Sequence, residues 1–157
     1  MDYNKDPLWQ RIMDYDPDKP NAETPFSKRL MTQQGWSATY TKSAIDEYKK
    51  FIYLCCVSPH GASPPEVVDE VWHLHLTYTT EYWQHFCRDT LHRDIHHHPS
   101  TGGAEEKTRH EVRYEQTLLF YQQIFGEEPP PNIWPPPHSA TQSTNTPTHS
   151  IPDFFEA

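Results

Sequence analysis

The sequence predicts an all-α fold: a compact array of three long and two short helices with a Pro-rich C-terminal strap and a disordered tail. Three observations carry that expectation. Apolar residues recur at spacings of three and four along three extended segments, and nowhere alternate as a half-buried strand requires. Capping residues stand ahead of first-turn prolines, while glycines stop the segments they precede. Proline is crowded at one end, with eight of the sixteen in the last 31 residues.

Asp6 before Pro7 and Thr24 before Pro25 each pair a capping side chain with a first-turn proline, and Gly35 ends the second segment, which predicts two short opening helices. From Ser37 onward, Tyr40, Ala44, Tyr48, Phe51, Ile52 and Cys55 form the stripe of a buried helix face reaching about Val57. Ser63-Pro-Pro-Glu66 has the spacing of a capping box and predicts the start of a third major helix. Its stripe reads Val68, Val71, Trp72, His75, Thr79, Tyr82 and Phe86. That helix either runs unbroken towards Leu91 or bends at the Thr-Tyr-Thr-Thr stretch, 77 to 80. Residues 92 to 103 form a loop by their Pro and paired Gly, and a fourth helix spans Ala104 to Phe125 with Gly126 at its stop.

The Pro129-Pro130-Pro131 and Pro135-Pro136-Pro137 runs forbid helix, so the ordered domain is expected to be 1–137. Trp134 amid those prolines is costly to leave exposed, which argues for a strap across the helices. The polar stretch after Pro137 cannot bury enough to offset the entropy of ordering, and residues 138–157 are expected to be a disordered tail. A docked role for the terminal Ile-Pro-Asp-Phe-Phe-Glu-Ala is the alternative.

Composition narrows the function classes. With 13 Lys plus Arg against 22 Asp plus Glu, the formal charge is -9, a field that repels phosphate backbones and anionic lipid. Nucleic acid and membrane surfaces are therefore unfavourable partners. No apolar run approaches the ~18 residues of a span, and the opening decapeptide lacks a signal pattern, so a cytoplasmic protein is expected. Three cysteines without a framework spacing imply reduced thiols. There is no phosphate loop, nucleophile elbow or paired CxxC.

Histidine is the anomaly: eleven in all, seven of them between His73 and His98. On a helix, residues four apart share a face and residues two apart lie about 200° apart. Asp69 and His73 are thus neighbours, whereas His73 and His75 share an ion only if the helix loosens or ends near His75. A carboxylate one turn from an imidazole either ligates a metal beside it or fixes its tautomer. Two further acid-x3-His pairs, Glu81 with His85 and Glu106 with His110, show how readily such pairs arise by chance. Glu70-Val-Trp-His73 spells one half of a di-iron motif, but no second Glu-x-x-His accompanies it. His75 lies in the apolar stripe, where the alternative to a ligand is a core imidazole satisfied by the hydroxyl of Tyr78 or Tyr82. The His96-His97-His98 loop supplies imidazoles that can swing to one point.

The run from Trp72-His73-Leu74-His75 to Tyr82, with Gly35-Trp36-Ser37, Asp69, His96-His97, Gly102-Gly103, Tyr114 and Ile133-Trp134-Pro135, resembles the bacterial glycine-rich-domain-containing-protein-like family, distant relatives of plant glycine-rich domain proteins. The likeness covers roughly Phe26 to Pro136. It implies an all-helical fold and assigns no activity. The chain departs from the family in its third loop histidine, His98, and in lacking a glycine-rich or membrane-spanning extension within these residues.

Two function classes follow. The leading one is a helical domain holding one transition-metal ion (zinc, iron or copper) through His73, His75 and His97, assisted by Asp69 and His96, as a small metalloenzyme with an open coordination position. The other is a non-catalytic domain that binds a protein or peptide partner, its histidines being core or solvated.

Overall fold

The computed structural model describes residues 2–19, 23–99, 102–137 and 155–156. Within them the architecture is all-α, as predicted. A single 3-10 turn, Tyr3–Lys5, precedes α1 (Pro7–Asp14), α2 (Phe26–Gln34), α3 (Ala38–Val57) and α4 (Glu66–Thr77). A π-helix, Glu81–Leu91, and α5 (Ala104–Phe125) complete the set. Helix α3 is the hub and touches α1, α2, α4 and α5. No described helix is long and apolar enough to cross a membrane.

Start and stop signals met two fates. Asp6 caps α1 by accepting from the Leu8 amide at 2.9 Å, and Ser37 caps α3 through the Tyr40 amide at 3.1 Å. Gly35 and Gly126 end α2 and α5 in the left-handed region, at φ 72° and 71°. Thr24, by contrast, does not cap α2, whose N-cap is Pro25 without a side-chain bond. The Ser63 capping box is also not formed. Pro65 is the N-cap, extended at φ -71° and ψ 163°, so α4 begins only at Glu66. The cause is steric: each proline pushes the residue before it out of the helical region, and two in succession delay the first turn. Buried Ser63 instead donates its amide to Thr117 Oγ1 at 3.0 Å, tying the α4 entry to α5.

The predicted third long helix is divided. Helix α4 ends at Thr77, with Tyr78 as C-cap at φ -88° and ψ 71°, and the chain then rewinds as the π-helix. There the i→i+5 pattern widens each turn and brings residues four and five apart into line. Its buried residues, Tyr82, Phe86, Cys87 and Leu91, have that spacing.

The core is aromatic. Trp9 packs edge-on to Tyr3 and Tyr53, with ring centres 5.1 and 5.2 Å apart, and anchors α1 to α3. The Pro-rich segment is a strap, as predicted. Ile133 and Trp134 are buried, and the Trp134 indole donates to Glu47 Oε1 at 3.0 Å, an oxygen that also accepts from the Tyr121 hydroxyl at 2.7 Å. Lys50 Nζ stands 3.1 Å from the other carboxylate oxygen, so buried Glu47 keeps a countercharge. Tyr40 and Tyr114 hold the strap backbone at the carbonyls of Asn132 and Pro135, each at 2.7 Å.

The proposed tail lies almost wholly outside the described residues. Its exception is β2 (Phe155–Glu156), whose backbone pairs antiparallel with β1 (His98–Pro99) in the register His98 to Glu156 and Pro99 to Phe155.

Candidate metal centre

Asp69 and His73 stand one turn apart on α4 and meet: His73 Nε2 lies 3.2 Å from Asp69 Oδ2. The third member comes from the loop. His97 Nε2 lies 2.8 Å from Asp69 Oδ1, so one carboxylate faces two imidazoles. Each of the three offers a donor atom, and these atoms lie within 4.8 Å of one another. Ligands about 2.0–2.1 Å from a tetrahedral ion are roughly 3.3 Å apart. The two carboxylate–imidazole separations, 3.2 and 2.8 Å, lie at and somewhat below that value, so an ion between them requires the donors to move apart slightly.

A chain of contacts sets the loop. Trp72, next to His73 but turned into the core, donates its indole N–H to the Tyr82 hydroxyl at 2.9 Å, and that hydroxyl donates to the Ile95 carbonyl at 2.6 Å. Buried Ile95 therefore fixes the depth of the strand-like stretch that follows. Extended backbone alternates faces: Ile95 and His97 turn inward, while His96 and His98 are exposed. The His97 ring sits on Trp72 with centres 4.1 Å apart and 4.9 Å from the His73 ring. Arg93 adds a second anchor, its guanidinium donating to the Cys56 carbonyl at 2.8 Å.

Access is one-sided. The side chains of Asp69 and His97 are 6% and 2% exposed, whereas that of His73 is 32% exposed. A buried carboxylate and a nearly buried imidazole form the floor, and His73 forms the rim.

His75 is not part of this group. Helix α4 stays helical through Thr77, so the 200° between His73 and His75 is kept and the His75 ring turns into the core, 1% exposed. Its Nδ1 is 2.7 Å from the Tyr48 hydroxyl and its Nε2 is 2.9 Å from the Tyr15 hydroxyl. Because Tyr15 donates to Glu81 Oε2 at 2.6 Å, its oxygen is left to accept, and the network assigns the proton to Nε2. Tyr48 then donates to Nδ1. Burial, with a smaller contribution from the Lys19 charge, pushes the His75 pKa down to about 3. Its partners are neither Tyr78 nor Tyr82 but tyrosines from α3 and from just past α1, which sequence spacing cannot locate. Lys49 of α3 brings Tyr15 into place by donating to the Tyr15 and Met13 carbonyls at the end of α1.

His96 is likewise outside the group, its ring 5.0 Å from Trp83. Of the five residues singled out from the sequence, the structure brings together Asp69, His73 and His97 and separates His75 and His96. Trp72 and Tyr82 stand out in the sequence as stripe and motif residues, and Tyr82 as a candidate partner of His75, but not as the pair that holds the site in shape.

The pattern of the UCP032817-like family matches residues 22–115, more than half of the chain. The chain belongs to that family. All three clustered donors fall within the matched segment, while α1 and the strap lie outside it. No curated protein and no solved structure matches the chain.

Proposed function

We propose that this UCP032817-like chain is a metal-binding domain that holds one transition-metal ion with His73, His97 and Asp69. The observation that carries the reading is the convergence of these donors from two separate elements onto one point. Two imidazoles and one carboxylate, with further positions open towards the exposed edge of His73, suit zinc or ferrous iron. An ion so held supplies Lewis acidity to whatever occupies those positions, which makes a small metalloenzyme the favoured form of the function. The protein's own part is to present Asp69 buried and preoriented, to seat His97 on Trp72, and to leave His73 as the accessible wall. His75 belongs to the supporting core and not to the ligand set.

The competing reading is a carboxylate that simply accepts hydrogen bonds from two imidazoles in a non-catalytic domain. Elemental analysis of protein purified without an affinity tag decides between them. Close to one zinc or iron per chain, sharply reduced by His73→Ala, supports the metal centre, and less than about a tenth of an equivalent after mild reconstitution refutes it. Ligating imidazoles must be unprotonated, so occupancy also falls in acid.

The three cysteines are free thiols, two of them buried, which supports a reducing, cytoplasmic setting. Kinship with glycine-rich-domain-like proteins is proposed on the Trp72-His73-Leu74-His75 motif. We propose residues 1–137 as the working unit.

A further inference from the structure

A line of polar contacts runs from the centre of the core to its surface. The Tyr48 hydroxyl donates to His75 Nδ1 at 2.7 Å, His75 Nε2 donates to the Tyr15 oxygen at 2.9 Å, and Tyr15 donates to Glu81 Oε2 at 2.6 Å. Lys19 Nζ stands 3.2 Å from that same oxygen at the exposed end. With the tautomer assigned above, every donor points outward, so one proton leaves Tyr48 as another arrives on Glu81. His75 gains a proton at Nδ1 while losing one at Nε2, and so stays neutral in a core that disfavours imidazolium. Burial also keeps the Tyr48 phenol from ionising by itself, so its proton departs only together with an electron.

A path for that electron lies on the other side of His75. The imidazole meets Tyr48 and Tyr82 edge-on, with ring centres 5.6 and 5.0 Å away. The Tyr82 hydroxyl accepts from the Trp72 indole at 2.9 Å, and the Trp72 ring lies 4.1 Å from that of His97, a proposed ligand. Phenol and indole are the side-chain rings most easily oxidised by one electron, and here they lead from the proposed ion back to Tyr48.

We infer that Tyr48 is a redox-active tyrosine, yielding an electron through Tyr82 and Trp72 to the metal centre and its proton through His75 and Tyr15 to Glu81. The relay rests on the hydrogen bonds alone; the destination of the electron rests on the metal centre proposed above, holding ferrous iron. Hydrogen peroxide is the oxidant. Its O–O bond breaks as it takes one electron from the ion and one from Tyr48, which leaves two hydroxides, a ferric ion, a neutral Tyr48 radical and protonated Glu81. The oxidising equivalent is then stored on a side chain only 3% exposed, out of reach of reductants in solvent.

The test uses the full chain in two states. Metal-free protein is oxidised by light with ruthenium tris(bipyridine) and persulfate, and ferrous-loaded protein is mixed with hydrogen peroxide; both are frozen and read by electron paramagnetic resonance. Each should show a persistent neutral tyrosyl signal that Tyr48→Phe removes. Glu81→Gln keeps an acceptor for Tyr15 but cannot take up the proton, so it should cut the yield of that signal by about tenfold or more while leaving the melting temperature nearly unchanged. This second variant decides the matter even where Tyr48→Phe folds poorly. A persistent signal undiminished in Tyr48→Phe, or equal yields from Glu81→Gln and wild type, overturns the relay. A Tyr48 radical formed by light but not by ferrous iron and peroxide overturns the electron path alone. A chain that takes up no iron overturns the electron path through loss of the metal reading, and the light-driven experiment still decides the relay.

Discussion

Replacing His75 with leucine separates a core histidine from a ligand. The imidazole is enclosed by Tyr48, Tyr15, Phe26, Tyr82 and Phe86, with ring centres 4.7 to 5.7 Å away. Leucine fills much of the same volume, but it leaves the fully buried Tyr48 hydroxyl without its acceptor, at a cost of about 1–3 kcal/mol. Tyr15 loses less because it keeps Glu81. At neutral pH the variant should melt lower by roughly 3–5 °C per kcal/mol, and His75→Leu/Tyr48→Phe should recover most of the loss by removing both partners together. The deficit should depend on pH. His75 has a folded pKa of about 3 against an ordinary 6.5, so the folded state resists its protonation. The stability this confers is complete above pH 6.5 and declines as pH falls towards 3, by at most about 1.4 kcal/mol per unit. Leucine carries no such slope, so the two urea-unfolding curves should converge on the order of pH 5. Zinc uptake should be unchanged in the variant. A deficit independent of pH, or loss of metal from His75→Leu, would refute the assignment.

Further expectations follow from the same contacts. Tyr82→Phe removes the acceptor of Trp72 and the donor to Ile95, so it should destabilise by about 1–3 kcal/mol in urea and also weaken zinc binding by loosening His97. Trp134→Ala should cost about 3–5 kcal/mol, since it empties the strap anchor and strips buried Glu47 of a donor; a loss under about 1 kcal/mol would contradict the strap. Asp69→Asn should lower zinc affinity more than 100-fold if the carboxylate ligates directly, read by competition with a chromogenic chelator. Burial pushes the Cys56 thiol up to about 11, so native protein should react with iodoacetamide slowly at pH 8 and faster only as pH approaches that value.

Much of the architecture could be read from spacing because helix faces and punctuation are local. Asp69 and His73 are neighbours by helical geometry alone, and Trp134 had to be covered because nothing else in a proline run makes it soluble. What escaped depends on distant partners. That His97, not His96 or His98, faces inward follows from buried Ile95 and from the hydrogen bond of the distant Tyr82 hydroxyl to its carbonyl. The loop histidines, and a helix that could loosen at the Thr run, made His75 a candidate ligand, yet the 200° between His73 and His75 holds for as long as the helix does, and the helix continues to Thr77. Ser63 had the right spacing for a cap and the wrong followers: each proline disfavours the helical region for the residue before it, and the helix starts only after both. The π winding, finally, is a matter of which carbonyl each amide chooses, and a stripe with spacings of four and five is compatible with a bent α-helix as well.

The central claim is that Asp69, His73 and His97 bind an ion and that His75 and His96 do not. Calorimetric titration of zinc into metal-free, untagged full-length chain tests it most directly. The account predicts one saturable site per chain that is lost in His97→Ala and His73→Ala and kept in His96→Ala. Absence of saturable binding in the wild type, or a site that survives His97→Ala unchanged, would contradict it.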